Sequence, residues 1–358
     1  MNQRKLSTLF LLGFAIFSGF LVLLCPQEAS EGFASGIALC LHSVLPGIFP
    51  FMVTCNLVVA CPYSSTLGLP LRPLTAFCGL KAKPSPLILL LSWVGGYAVC
   101  AQCIARYRRQ GQITGSEAML LLLLGCCSGP GFVIGCVGGL LLHSLTLGVL
   151  LYFLQIAANF LSTAFLWPFL RRHVYAQPPA SRQKSPAASA FSLSGAISEA
   201  VTASLSICGC ILFFRVLSSV LLSFLSQADA WGASVCSGFF EISAGCSDFA
   251  AQPGADGLYG VAACLGFLGL SVYAQLQTLL DGAVPIVPLI LSRLLHMVWM
   301  QALLRLCLHY MPGEATVFSS LAPRVIVMNR AAPDAVLIIF CFLCAVLYKG
   351  KKSFYNKM

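Results

Sequence analysis

Leu91–Gln102 reads LSWVGGYAVCAQ, and Leu265–Gln275 reads LGFLGLSVYAQ. Superposing the two sets Gly269, Val272, Ala274 and Gln275 on Gly96, Val99, Ala101 and Gln102. Each stretch is apolar, carries glycine inside it, and ends on an amide that a lipid-facing helix would avoid. Such backbone is tolerated at membrane depth only where protein or a cavity covers it. The paired phrases are therefore read as two walls of one intramembrane site, with glycine allowing close backbone approach.

The rest of the chain supplies the membrane. Of its 358 residues, 58% are hydrophobic and 9% charged, whereas a soluble domain carries about 25% charged residues. Apolar runs of the length that crosses a bilayer, roughly 20 residues, recur throughout. They are Leu6–Leu24, Ile37–Ala60, Leu87–Ala105, Ala118–Leu142, Leu145–Phe169, Val201–Leu225, Tyr259–Leu280, Val284–Leu308 and Ala335–Leu347. None alternates as a barrel strand would. The expected fold is an all-α, polytopic transmembrane helix bundle of about eight spans plus broken or re-entrant segments.

The formal charge of +10 lies between spans, at Arg4 and Lys5, at Arg106, Arg108 and Arg109, at Arg171, Arg172, Arg182 and Lys184, and at Lys349, Lys351, Lys352 and Lys357. This is the positive-inside pattern and not a basic face for nucleic acid. It places the protein in the cell (inner) membrane with both termini cytoplasmic. The eighteen cysteines are scattered in apolar runs and read as small buried hydrophobes. Cys100/Cys103 and Cys341/Cys344 have ligand spacing, yet no second pair accompanies either, so neither metal nor cofactor is expected.

Two spans separate the second and third basic clusters and four separate the third and fourth, whereas three lie between Arg4 and Arg106. The odd count points to Leu39–Ala60, where Pro46 and Pro50 each remove a helical hydrogen bond. That segment is expected to break or to return to its own side, unless Leu71–Leu80 adds a crossing. Further breaks are expected at Gly125–Gly131 (GCCSGPG) and Gly238–Gly245 (GFFEISAG). The organisation is then a signal anchor over 1–30, a first repeat over 36–170, a cytoplasmic linker over 171–198, a second repeat over 199–311, and a last span with a basic tail over 312–358. Each repeat would run from a Phe-rich punctuated helix, through a short glycine-containing segment, to the opening phrase.

LSWVGGYAVCAQCIARYRRQGQITGSEA, followed by LLLLGCCSGPGFVIGCVG and later by GFFEISAG, resembles the sporulation integral membrane proteins called YlbJ. The resemblance covers about Ser43 to Leu308. It implies two copies of the nucleoside-recognition, or Gate, domain shared with concentrative nucleoside transporters and the ferrous-iron transporter FeoB, and a role in spore formation. Where that family has Ser-Gly-Tyr-Pro, this chain has Gly95-Gly96-Tyr97-Ala98; where it has Asn-Asn, this chain has Cys126-Cys127.

Repeat-built transporters place their sites where discontinuous helices meet near the midplane. The candidate substrate-binding residues are Gly95, Gly96, Gln102, Ser128, Gly129, Pro130, Gly131, Arg215, Glu241, Gly269 and Gln275. Glutamine both donates and accepts, which suits a polar solute; the competing reading is helix-to-helix glue. Glu241 is an ionisable group in an apolar run, a functional position by default, with Arg215 as its expected partner. His42, His143 and His296 stand isolated and are read as interfacial or buried histidines. No catalytic motif is present, so the protein is expected not to be an enzyme. Its expected partners are the lipid bilayer and a small polar solute, with a homo-oligomer left open; the alternative is a non-transporting scaffold for spore formation.

Overall fold

The computed structural model describes residues 3–61, 64–174, 192–224 and 229–310. The expected span Ala335–Leu347, the basic tail and most of the linker lie outside them. Among the described residues every regular element is helical, and six helices are long and apolar enough to cross a bilayer. The chain is thus an all-α integral membrane protein.

Helix α1 (Gln3–Leu24) leads into α2 (Pro26–Leu39), a π turn (Cys40–Val44) and α3 (Leu45–Ala60), the last three forming one helical run of 35 residues. The break expected at Pro46 and Pro50 does not occur, and neither does a returning hairpin. Instead the helix widens just before Pro46, where Leu45 N–H reaches back to Cys40 O. A π turn shifts the preceding carbonyls away from the ring that would otherwise clash with them. Pro46 then sits in the first turn of α3 and Pro50 inside it.

After the short α4 (Arg72–Phe77), α5 (Ser85–Arg109) is interrupted at Gly96, and α6 (Gly115–Gly125) ends before a π-helical segment (Gly131–Leu141). Helix α7 (Leu145–Val174) closes this half, and α8 (Leu193–Phe224) opens the next; both run into the interval expected to be linker. Helices α9 (Ala230–Phe240) and α10 (Ile242–Ala250) meet at Glu241, and α11 (Gly254–Phe267) and α12 (Leu270–Leu280) meet at Leu268–Gly269. Helix α13 (Val287–Tyr310) follows and packs on α7 and α11.

The long helices α2 and α8 pack tightly because small residues line their seam. A Cβ on Gly32 would lie 2.8 Å from Ser219 Cβ, and one on Gly36 would lie 2.9 Å from a Leu212 methyl. Small residues at such seams let helices approach closely in lipid.

Helix α6 begins in a capping box. Glu117 N–H donates to Thr114 Oγ1 (3.2 Å) and Thr114 N–H donates to Glu117 Oε2 (3.0 Å). The other carboxylate oxygen accepts from Lys81 N–H (3.0 Å) and Ala82 N–H (2.8 Å), tying the entry of α5 to that of α6. Glu117→Ala frees three backbone donors at once and is expected to lower stability by about 2 kcal/mol. Denaturant unfolding in detergent, with Ser116→Ala alongside, checks this.

Candidate functional site

The four interruptions meet in two pairs. At Gly96 the backbone adopts φ 78°, ψ −172°, a region essentially confined to glycine. A Cβ there would lie 2.8 Å from Gly129 N and 3.2 Å from Gly129 Cα. The break in α5 therefore rests directly on the break after α6. In the second pair Gly269 takes φ 81°, ψ 159°. A Cβ on it would lie 3.1 Å from Ile242 N and 3.3 Å from Glu241 N, so the α11–α12 break rests on the α9–α10 break.

Gly96 and Gly269, the glycines of the opening phrases, thus share a backbone conformation. They hold different places in their pairs, however. Gly96 interrupts the first broken helix of its pair, and Gly269 interrupts the second.

Loose helix ends at membrane depth expose carbonyl and amide groups that need partners. Three side chains on one face of α7 supply them. Tyr152 O–H donates to Trp93 O (2.9 Å), near the end of the first part of α5. Gln155 Nε2 donates to Ser128 O (2.7 Å) while its Oε1 accepts from Ser128 N–H (3.1 Å). Asn159 Nδ2 donates to Leu124 O and Cys126 O, both at 3.2 Å. Helix α13 braces this splint, with Arg293 Nη2 donating to Asn159 Oδ1 (2.6 Å) and His296 Nε2 to Gln155 O (2.9 Å). Arg293, His296, Gln155 and Asn159 are all fully buried.

The second pair is held differently. Glu241 is buried and caps α10, its Oε2 accepting from Ala244 N–H (2.6 Å). Tyr273 O–H donates to Phe267 O (2.6 Å) at the end of α11. The pairs are joined by Tyr97 O–H, which donates to Gln275 Oε1 (3.2 Å).

Between the two pairs lies a cavity of about 20 Å³, space for one water molecule. Gly95, Gly96 and Tyr97 of α5, Ser128, Gly129 and Phe132 of the α6 break, and Ile242 and Ser243 of α10 line it, with Val44, Ile48 and Met52 of the long helical run and Ile207 of α8. Three buried polar atoms on or next to its lining residues have no protein partner: Ser128 Oγ on the lining itself, Glu241 Oε1 on the residue before Ile242, and Gln275 Nε2 on the partner of Tyr97.

Of the residues singled out in the sequence, Gly95, Gly96, Ser128 and Gly129 line the cavity. Glu241, Gly269 and Gln275 do not line it but adjoin residues that do, Glu241 and Gly269 at Ile242 and Gln275 at Tyr97. Pro130 only starts the π-helical segment, and Gly131 packs against the Gly47 carbonyl and the Phe51 ring of α3. Gln102 is half-buried on the second part of α5 and does not line the cavity. The expected Arg215–Glu241 pair is replaced by Arg215–Asp248 (3.7 Å), with Arg215 also donating to Ser35 Oγ and Ser237 Oγ. The reason is local: the Glu241 side chain turns back to cap its own helix.

Gln155, Asn159, Arg293 and Tyr97 are functional-site residues that the sequence reading did not single out. Arg293 carried the same signal as Glu241, an ionisable residue inside an apolar run. Gln155 and Asn159 carried a weaker one, two amides a helical turn apart on one face.

The fold and this site define a polytopic helical integral membrane protein in which interrupted helices cross in pairs around a small, mostly apolar cavity. Over 151 residues the chain is 26% identical to the sporulation integral membrane protein YlbJ of Bacillus subtilis (strain 168). That stretch is 42% of this chain and 37% of the relative, so the match spans little more than a third of the curated protein's length. No protein-family model matches the chain, and no solved structure matches it.

Proposed function

We propose that the protein binds and moves a small polar solute through the cavity between the crossed breaks, in the service of spore formation. On this reading it is not an enzyme, it lies in the cell (inner) membrane with both termini cytoplasmic, and its two halves are Gate-like repeats. The observation that carries the reading is the trio of unpartnered buried polar atoms, Ser128 Oγ, Glu241 Oε1 and Gln275 Nε2. Leaving such atoms unmet is costly in a low-dielectric interior, and a solute with donors and acceptors would meet them. The cavity in this conformation takes only water, so solute entry would separate the two pairs, as alternating access requires.

A scaffold reading draws on a different observation. Tyr152, Gln155 and Asn159 meet the backbone groups at Trp93, Leu124, Cys126 and Ser128 with protein alone, as a permanent structural joint would.

Thermal unfolding in detergent separates the two readings. The panel spans nucleosides, amino acids, sugars, divalent metals and small organic acids, tested on wild type, Gln275→Ala and Ser128→Ala. Solute binding to the folded state raises stability by about 2.7 kcal/mol at a hundredfold excess over Kd. The expected result is a rise for one class that both variants lose. No rise with any class, with the variants merely less stable, would establish the scaffold.

A further inference from the structure

The Glu241 carboxyl is buried where two interrupted helices meet, and its oxygens are used unequally. Oε2 accepts from Ala244 N–H at 2.6 Å, whereas Oε1 has no protein partner. Five charged or titratable groups lie near enough to interact with it electrostatically: Arg215 of α8, Cys40 of the π turn, Tyr97 of α5, Cys136 of the π-helical segment and Cys246 of α10 itself. Arg215 is the cation among them, and it is engaged elsewhere. Its guanidinium lies 3.7 Å from Asp248 Oδ2, and it donates to Ser35 Oγ (3.0 Å) and Ser237 Oγ (3.4 Å).

A buried carboxylate without a counter-charge costs several kcal/mol, and the group sheds that cost by taking up a proton or gaining a cation. Both remedies are at hand. Ser237, on which Arg215 rests, lies one helical turn before Glu241, and Glu241 N–H donates to Ser237 O (2.8 Å). An exchange of one carboxylate for the other would start from an Arg215 that already rests one helical turn from Glu241 and interacts with its charge. Asp248 is a third exposed while the Arg215 side chain is about a fifth exposed, so the exchange runs between a wet partner and a dry one.

We propose that Glu241 is a proton-binding site whose occupancy decides whether Arg215 pairs with Asp248 or with Glu241. With the proton on, a neutral carboxyl caps α10 and Arg215 stays on Asp248, the arrangement described here. Loss of that proton to water leaves a carboxylate, and Arg215 turns to it. Since Ile242 and Ser243 line the cavity and Glu241 N lies against Gly269, the change acts directly on the second crossing. This deepens the solute reading by naming a proton as the coupling ion and rests on it for that use alone.

Infrared difference spectroscopy of the protein in lipid at neutral pH tests the site without any solute. Protonated carboxyls absorb apart from carboxylates. Wild type is expected to show a protonated-carboxyl band that Glu241→Gln removes. Asp248→Asn, which frees Arg215, is expected to reduce that band at least about twofold, since an opposite charge nearby favours ionisation. A spectrum unchanged by Glu241→Gln overturns the proposal, and so does a band at full strength in Asp248→Asn. Should the glutamine variant fail to fold, the Asp248→Asn arm decides by itself. A band that behaves as expected while no solute raises stability would leave the proton site standing and remove the transport reading; the reverse would remove the proton site only.

Discussion

Gly96→Ala is expected to destabilise the protein by about 3–5 kcal/mol, enough to leave little folded material in detergent. Two effects add. The backbone at Gly96, φ 78° and ψ −172°, lies where an L-residue is strained by about 1–3 kcal/mol. The new methyl would also lie 2.8 Å from Gly129 N and 3.2 Å from Gly129 Cα. Both are backbone atoms of the other break and cannot rotate away, and overpacking of this kind adds about 1–3 kcal/mol. Gly79 and Gly111 separate the two terms. Each has positive φ, at 84° and 68°, and each has open space where a methyl would go. Alanine at either is expected to cost only about 1 kcal/mol. Gly269→Ala should fall between, because its neighbours lie at 3.1–3.3 Å. Melting temperatures of the four variants test the order; Gly96→Ala melting like Gly111→Ala would mean that the first crossing can open without loss.

The sequence made part of this legible, and the physics of each element explains which part. Hydropathy finds the spans because length and apolarity are local properties. The Gly125–Gly131 interruption is equally local, since glycine and proline act on their own backbone. Pro46 and Pro50 mislead for a related reason. A proline forbids one pattern of hydrogen bonds, and the chain substitutes a π turn at Cys40–Val44, a remedy that the spacing of the prolines does not announce. The glycines of the opening phrases do share a conformation, as the shared residues suggest. Their partners, Gly129 for one and the Glu241–Ile242 peptide for the other, are set by the way distant segments cross.

The α7 splint shows the same limit from the other side. Gln155 and Asn159 look like two of many polar residues in apolar runs. Their importance rests on which peptide groups lack partners, and that is known only once α6 is seen to stop at Gly125. Arg293 is different. A charge in the middle of LILSRLLHMVW was open to the argument applied to Glu241, and its burial follows the rule that intramembrane charges face the bundle interior.

Asn159→Leu, nearly isosteric, is expected to be the most damaging change on α7. It removes both donors that meet Leu124 O and Cys126 O and the acceptor that meets Arg293 Nη2. Leu124 O keeps Trp93 Nε1 at 3.3 Å, so the principal loss is at Arg293. That guanidinium is fully buried, and its Nε and Nη1 already lack partners. Taking the last acceptor from a buried charge costs about 3–5 kcal/mol. Gln155→Leu loses two bonds to a neutral peptide and should cost less, about 2 kcal/mol. The decisive comparison is the double variant Asn159→Leu with Arg293→Leu. Removing the charge as well converts an unpaired ion into apolar packing, which is often neutral or stabilising relative to the ion. The double variant should therefore be more stable than Asn159→Leu alone while remaining below wild type, because Cys126 O stays unmet. Denaturant unfolding of the three proteins measures this. A double variant no better than the single would mean that Asn159 serves the α6 carbonyls and that Arg293 finds its stabilisation from other groups.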